Sequence, residues 1–579
     1  MAGFASPLYD LDPRTGFMPP EPPLLRLPHP YGPWEVLLDD AKRHFVNPGP
    51  SGLATATEKQ YTAKWRKRVI TMPVLDCTEM GQDVRKVRRA HHVLAYLAQF
   101  YIHSMPPRAA HLTKDDPIVI PSPIAIPLIS VSRTLGIAPI VTYADTVLWN
   151  WALKDPSLPL SRTNMTIPDL FTGSKQEEHF FLTSAKIEVR GWEALDAIDL
   201  CVQEAKMEEP DVESVTRDLI RLSGALDDIT AILLAVRDGL DPDFFYNKFR
   251  PWIQGADQGE DSPSWHYEGV DGFGLTLQPS GPSAGQSALM HSFDAFLDVP
   301  HPHSKKGLGG GCTRFNSALD PNNKQLELVA DTPAMCPVTG VSSVLPDGHP
   351  PIIIPPITPN SPNTRSTTTS SWKKILILPS HFPPTPPLTP PVSKLALDID
   401  ALSLDGDDVS LLPNSSSPGQ IDTSFNARMR SYMTEAHQNY LTMLSANTIR
   451  PFIQARSSTH PELVQAYSAC VTSLKKWRDA HIRIVTQFVI VPARAKGGAN
   501  DPCAKGYSQR VCFGFDFDEK GRMIDLDGVE GRKVERLPVR GTGGTSLIPL
   551  LKRYRDNTLS RVIKWVGGGN GDGIAGHAP

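Results

Sequence analysis

A proline-rich stretch at residues 301–420 limits most strongly how this chain folds, because proline breaks the helices that the rest of the sequence favours. It holds 20 of the 56 prolines, in runs such as 351-PIIIPPITPNSPNTRSTTTSS-371 and 383-PPTPPLTPP-391. Such a segment cannot bury enough apolar surface to offset its chain entropy, so we predict a disordered insertion. A gene-model error would give the same low-complexity composition. A proline-rich ligand for a partner domain is a further alternative.

Helical spacing of apolar residues dominates on both sides of this insertion. The helical patterns cover 141–155, 180–206, 211–238 and 243–254 before it and 421–457 and 459–490 after it. Strand-like alternation is sparse. We therefore predict a mainly α fold, in which the insertion interrupts one helical domain rather than joining two independent domains.

The length of 579 residues exceeds that of one typical domain, which predicts a second, smaller one. We expect a smaller N-terminal domain of mixed α/β structure beside a large all-helical domain. The predicted boundaries are 1–135 for the smaller domain, 136–300 with 421–566 for the large domain, 301–420 for the insertion, 496–537 for an irregular loop and 567–579 for a flexible tail.

Charge and cysteine content exclude several classes of protein. The 58 Lys+Arg and 62 Asp+Glu give a formal charge of −4 without long blocks of one sign, unlike a nucleic-acid binder. The sequence has neither a run of about 18 apolar residues that would span a membrane nor a secretory signal at its start. Seven cysteines without a C-x-x-C pair indicate neither a disulfide framework nor a zinc site. We expect a cytoplasmic protein that binds neither nucleic acid nor membrane.

One histidine stands out in 428-RMRSYMTEAHQNYL-441. Apolar residues repeat at three- and four-residue steps around His437, for example Met433 and Tyr440, which directs its imidazole into an apolar interior. Two interpretations remain open from this spacing. His437 is either a core histidine or an axial ligand to haem, which needs one imidazole and otherwise apolar walls.

Two aromatic segments are candidates for a binding pocket. The segment 180-FFLTS-184 opens a helix, and its residues fit either core packing or a pocket wall. In 242-PDFFYNKFRPWIQG-255, four aromatic residues surround Arg250. This arginine either stacks on the rings and caps a helix or binds a carboxylate bidentately inside an apolar pocket.

Two loops rich in small residues also lie next to helices. The loop within 280-SGPSAGQSALMHSFDAF-296 lets backbone N–H groups approach a ligand, although it also fits an ordinary helix start. The later 541-GTGGT-545 lacks the lysine and the length of a phosphate-binding loop, which favours a flexible connection.

The order of these segments resembles the indoleamine 2,3-dioxygenase family, including its fungal members with expanded loops. The resemblance covers about 27–300 and 421–566. It rests on 27-LPHPYGPWEVLL-38, 142-TYADTVLWNWALKDP-156, FFLTS, FFYNKFRPW, SAGQS, the segment around His437, 466-AYSACVTSLKKWRDAHIRIVTQFVIVP-492 and GTGGT. It implies that the large helical domain binds haem.

The resemblance also implies a role for individual residues. His437 corresponds to the proximal iron ligand. The distal pocket would be lined by Tyr143, Thr146, Phe180 and Ser184, with Ser283 and Ala284 in the small loop above the haem. Phe245 would stack near the indole, with Tyr246 beside it, and Arg250 would hold the substrate carboxylate. Thr542 falls in the loop that closes over the substrate.

The implied activity is haem-dependent insertion of dioxygen across the indole 2,3-bond of L-tryptophan. The cofactor would be haem b, dioxygen the co-substrate and N-formylkynurenine the product, in the first step of the kynurenine pathway. Ser184, Phe245 and Arg250 would act on the substrate, an external reductant would keep the iron ferrous, and the protein would be a monomer. Unusual neighbours of His437, Glu435 and Gln438, leave open a haem-binding paralogue with little or no turnover.

Overall fold

The computed structural model describes most of the chain on both sides of the predicted insertion. The described residues are 7–44, 55–106, 112–113, 115–257, 262–301, 424–495, 515–517, 523–525 and 547–565. They all belong to one unit, formed by 1–326 and 421–579. Residues 302–420, nearly all of 496–537, the GTGGT loop with Thr542, and 567–579 lie outside the described residues. The predictions made for those segments stay predictions.

The N-terminal part of the chain is mainly helical. Its helices are α1 (Gly32–Arg43), α2 (Ala56–Thr71), α3 (Val84–His103) and α4 (Ser122–Leu135). A capping box starts α2, because the Thr55 hydroxyl accepts from the Glu58 backbone N–H while the Glu58 carboxylate accepts from that of Thr55. The Asp83 carboxylate caps α3 in a similar way. Every side chain of α3 from Val87 to Ile102 is buried, so this helix forms the centre of the N-terminal region.

A small sheet connects the N-terminal region to later parts of the chain. Strand β1 (Ile118–Ile120) runs parallel to β2 (Trp265–Tyr267), which pairs antiparallel with β3 (Leu275–Leu277). Two further strands, β4 (Phe515–Phe517) and β5 (Met523–Asp525), form an antiparallel pair. The first sheet therefore joins residues from both sides of the predicted boundary at 135, and the division into two domains stays a prediction.

Helices from both sides of the insertion share one core. They are α5 (Lys175–Glu204), α6 (Val212–Leu234), α7 (Pro242–Phe244), α8 (Ala288–Phe296), α9 (Phe425–Arg430), α10 (Glu435–Ser445), α11 (Arg450–Ala455), α12 (Pro461–Val485), α13 (Val491–Ala495) and α14 (Leu547–Leu559). Helix α6 packs against α5 and α12, α10 packs against α8, and α14 packs against α12. The mainly α prediction is confirmed.

Short helical turns connect these elements. The 3-10 turns are Pro7–Tyr9, Thr78–Gln82, Ala235–Asp238, Arg250–Ile253, Val270–Gly272 and Ala284–Gln286. One glycine is needed for close packing: a Cβ on Gly191 of α5 would lie 2.2 Å from Cδ2 of Leu289 on α8. Within the described ranges, no helix combines the length and the apolar content that crossing a membrane requires.

Candidate active site

A cavity of about 250 Å³ lies between helices that precede the insertion and helices that follow it. Its volume is far larger than the roughly 10–15 Å³ that one buried water needs, so it is a ligand-sized space rather than a packing defect. Most of its walls are apolar. The predicted site residues that line it are Tyr143, Thr146, Phe180, Ser184, Phe245, Arg250, Ser283 and Ala284.

Aromatic rings form one wall of the cavity. The ring centroids of Phe180 and Phe245 lie 5.3 Å apart, and Phe245 also meets Phe488 edge-on at 5.8 Å. Behind them, Phe249 is fully buried and contacts Phe180 at 5.4 Å. Each ring is held by the next at distances typical of aromatic pairs, so the wall presents a fixed apolar surface to a planar ligand.

Three π-helical turns border the cavity. They span Ala144–Leu148, Phe245–Phe249 and Thr486–Ile490, and each contributes side chains to the lining, including Thr146, Phe245 and Phe488. The wider π geometry is rare and concentrates at functional sites, because it re-aims side chains within a helical path. These turns therefore indicate a site shaped for a ligand.

Arg250 is a buried cation at the cavity wall, with 7% of its surface exposed. Its guanidinium carbon lies 5.4 Å from the ring centroid of Tyr246, and burial lowers the pKa of Arg250 without depriving it of its charge at neutral pH. Tyr246 is partly buried and supports Arg250 from behind, rather than lining the cavity itself. This arrangement offers a guanidinium to an anionic group inside an apolar space.

The hydroxyl groups of the lining residues differ in their partners. The Tyr143 hydroxyl donates to Oε1 of Glu188 at 2.9 Å, and the Thr146 hydroxyl donates to the Thr142 carbonyl at 3.2 Å. Burial, followed by the nearby Glu188 carboxylate, raises the pKa of Tyr143, so its phenol stays protonated. Among the described residues, Ser184 makes no hydrogen bond with its hydroxyl, which leaves this group for a ligand.

The small-residue loop is held against the backbone next to Arg250. The Ser283 hydroxyl accepts from the Gly285 N–H at 3.2 Å. A Cβ on Gly281 would lie 2.2 Å from the carbonyl oxygen of Ile253, so the two backbones touch at a distance that only glycine permits. This contact places Ser283 and its neighbours in the same wall as the arginine.

The structure does not bring His437 to the cavity. The imidazole is buried, with 2% exposed, and lies 4.8 Å from the Phe17 ring, while its Nε2 is 3.5 Å from the Asp10 carboxylate. Asp10 is also ion-paired with Arg88. His437 is absent from the cavity lining. The predicted iron ligand therefore faces the N-terminal segment of the chain, next to Phe17 and Asp10.

A different histidine lines the cavity with its ring nitrogens available. His481 on α12 stacks on Trp477, with ring centroids 5.5 Å apart, and makes no hydrogen bond to any described residue. Burial and the Arg478 guanidinium lower the pKa of His481 to about 4, so the imidazole is neutral at pH 7, the form that binds metals. The other histidine of the lining, His291, already bonds the Gly285 carbonyl through Nε2 at 2.9 Å.

Polar residues complete the wall near His481. Arg478 forms a buried ion pair with Asp294 of α8, and its guanidinium lies 5.2 Å from the ring centroid of Tyr554. The Tyr554 hydroxyl donates to the Asn426 side-chain oxygen at 2.8 Å. Helices α8, α9, α12 and α14 therefore meet here through polar contacts.

Sequence spacing did not single out His481, although this residue lies on a helix with an apolar face. Along α12, cavity-lining residues recur at helical steps from Leu474 through Trp477 and His481 to Val485. The same periodicity surrounds both histidines, so periodicity alone does not distinguish them. Glu188 was also missed, because a single carboxylate inside a helical pattern carries no motif.

The chain is similar to known proteins over nearly its whole length. A family model described as "Indoleamine 2,3-dioxygenase" matches residues 5–337 and 392–561. The human protein named indoleamine 2,3-dioxygenase 2 is 31% identical over 96% of this chain and 95% of its own length. Indoleamine 2,3-dioxygenase of Saccharomyces cerevisiae is 25% identical over 95% and 92%. A protein of Fusarium equiseti named 6-hydroxytryptophan 2,3-dioxygenase is 22% identical over 96% and 97%.

Proposed function

The chain belongs to the indoleamine 2,3-dioxygenase family, and we propose that it uses haem b and dioxygen to convert L-tryptophan to N-formylkynurenine. The observation that carries this proposal is the cavity, because eight residues predicted for such a site line it together. The substrate would be a planar indole with a carboxylate, which matches an aromatic wall beside a buried guanidinium.

We propose His481, in place of His437, as the residue that binds the haem iron. It has a neutral imidazole without a hydrogen-bond partner among the described residues, inside a largely apolar cavity, and such an imidazole would hold the haem iron through a ring nitrogen. Haem, when bound, supplies the iron at which dioxygen is activated. His437 takes a structural role, packed on Phe17 and beside Asp10.

The remaining residues position the substrate. Arg250 binds the carboxylate, and burial strengthens this contact because little water screens the charges. Phe180 and Phe245 hold the indole ring in one plane. Ser184 donates a hydrogen bond and does not act as a base, since a serine hydroxyl without a basic partner is a weak base. Thr542 would close over the substrate, as the family resemblance implies.

A second candidate substrate is a hydroxylated tryptophan. The named activity of the Fusarium relative motivates it, and that relative covers nearly the same length of chain. Steady-state kcat/KM measured side by side for L-tryptophan and 6-hydroxytryptophan separates the two proposals. A higher kcat/KM for the hydroxylated substrate would replace L-tryptophan as the preferred substrate.

The proposal places the protein in a reducing cytosol as a monomer served by an external reductant. The free, buried thiols of Cys77, Cys201 and Cys470 are compatible with a reducing compartment. A haem-binding paralogue without turnover would bind the same cofactor and form no product.

Paired histidine variants test the site and the activity together. Purified protein should show a haem absorption band and release N-formylkynurenine from L-tryptophan under reducing conditions. His481→Ala should lose or shift the band and abolish turnover, whereas the matched control His437→Ala should keep the band. The opposite pattern would return the ligand role to His437. A normal band with no product from any indole substrate would support the paralogue instead.

A further inference from the structure

Glu188 is a buried carboxyl group directly behind the cavity wall. It lies on α5, four residues after Ser184, with 2% of its surface exposed. Its Oε1 accepts a hydrogen bond from the Tyr143 hydroxyl at 2.9 Å and one from the Ser287 hydroxyl at 2.8 Å. One carboxylate oxygen therefore joins three separate elements: α5, the turn that follows Tyr143, and the start of α8.

Each of these elements carries residues of the cavity wall. The helix contributes Ser184, the turn contributes Tyr143, and the loop before Ser287 contributes Ser283. A backbone contact runs in parallel, because the Tyr143 N–H donates to the side-chain oxygen of Gln286 at 2.9 Å. The turn and the loop are therefore joined by a second hydrogen bond that does not involve Glu188.

The surroundings of Glu188 let it titrate near neutrality. Burial raises the pKa of Glu188 to about 7, and the hydrogen bonds from Ser287 and Tyr143 lower it only in part. In the described part of the chain, Tyr143 is the titratable group that faces it, and no charged side chain acts on its pKa. The other titratable groups on the packed elements are paired elsewhere: Asp145 with His91, Asp294 with Arg478, and His291 with the Gly285 carbonyl.

We propose that Glu188 is a positioning residue that ties α5, the turn after Tyr143 and the start of α8 into one wall, and that its ionisation sets how tightly this wall holds the substrate. The ionised form accepts both hydroxyl bonds with charge assistance, which makes such bonds about twice as strong as neutral ones. Protonation weakens both bonds at once. The hydrogen bonds that hold the wall together are therefore stronger above pH 7 and weaker below it. The identity of the substrate rests on the proposed function.

An infrared titration tests the carboxyl group independently of haem and turnover. The difference spectrum between wild type and Glu188→Gln should contain the carbonyl band of a protonated carboxylic acid that disappears as the pH rises through about 7. Tyr143→Phe removes one donor to the carboxylate and keeps the ring, so it should move the midpoint to higher pH. No titrating band, or a midpoint that Tyr143→Phe leaves unchanged, would overturn the proposal. If Glu188→Gln fails to fold, the same midpoints are taken from spectra at low and high pH in a Glu177→Gln background, which removes the other carboxyl of the described residues that titrates near 7.

Steady-state kinetics test the positioning role. For wild type, KM for L-tryptophan should fall about threefold to tenfold between pH 6 and 8, the effect of strengthening two hydrogen bonds, while kcat changes little. Glu188→Gln should flatten this profile. Glu177→Gln is the matched control, because burial also raises the pKa of Glu177 to about 7. Its partners are the backbone N–H groups of Phe171 and Thr172 and the Thr172 hydroxyl, and neither residue lines the cavity.

The outcomes separate this inference from the proposed function. A pH profile of KM that Glu188→Gln leaves unchanged, or that Glu177→Gln removes equally, contradicts the positioning role. If wild type gives no product from any indole substrate, the proposed function fails. The infrared titration and its response to Tyr143→Phe then decide alone whether Glu188 ties the wall together.

Discussion

The folding stability of the protein should depend on pH through Glu188. The folded state raises the pKa of this group from 4.5 to about 7, so the folded protein holds a proton that the unfolded chain releases above pH 4.5. The contribution of Glu188 to stability is therefore complete below pH 4.5 and is lost progressively as the pH rises to 7. At about 1.36 kcal/mol per pKa unit, the destabilisation grows by about 2.5 kcal/mol between pH 5 and 8.

Glu188→Gln removes this titration and keeps the shape of the side chain. Its free energy of unfolding, relative to wild type, should therefore rise by about 2.5 kcal/mol from pH 5 to pH 8, measured by urea unfolding at both pH values. Glu178→Gln on the same helix is the control, because the pKa of Glu178 is lowered through its bonds to Lys175 and Thr166 despite the opposing effect of burial. A difference between Glu188→Gln and wild type that is the same at both pH values would refute the reasoning.

Two further perturbations test the packing around the site. Burial alone would raise the pKa of Asp10, but the contacts with His437 and Arg88 outweigh burial and lower this pKa to about 2. Asp10→Asn should therefore lower the free energy of unfolding by about 2 kcal/mol at pH 6. This loss should disappear as the pH falls towards 2, because the wild-type carboxylate is then protonated as well. An unchanged urea midpoint at pH 6 would contradict this role for the Asp10–His437 contact. Gly191→Ala places a Cβ 2.2 Å from Leu289 and should cost about 1–3 kcal/mol by overpacking, measured by thermal unfolding, whereas Gly224→Ala, with open space around it, should not destabilise.

Local sequence patterns were sufficient to locate most of the helices. Apolar spacing predicted helices on both sides of the predicted insertion, because apolar residues three and four positions apart form one face of a helix. Sequence patterns did not predict the short strands. Strand β1 pairs with β2, about 147 residues later in the chain, and three-residue strands carry too little alternation to be recognised.

The candidate site was predictable where several segments follow one another in the same order as in the indoleamine 2,3-dioxygenase family. Eight of the predicted residues line one cavity although they come from four separate segments of the sequence. The identity of the histidine was not predictable in this way, since His437 and His481 both lie among apolar residues at helical spacing. Phe17 and Asp10 occupy the space beside His437, and they are more than 400 residues away from it in the chain.

The sequence by itself determined most of the segments that form helices and which residue types are available for a ligand, because these depend on neighbours along the chain. The tertiary structure alone decided which imidazole faces the cavity and that a buried carboxyl, Glu188, receives hydroxyl groups from two other elements. Both outcomes depend on desolvation and on contacts between distant segments, and these exist only after the helices pack together.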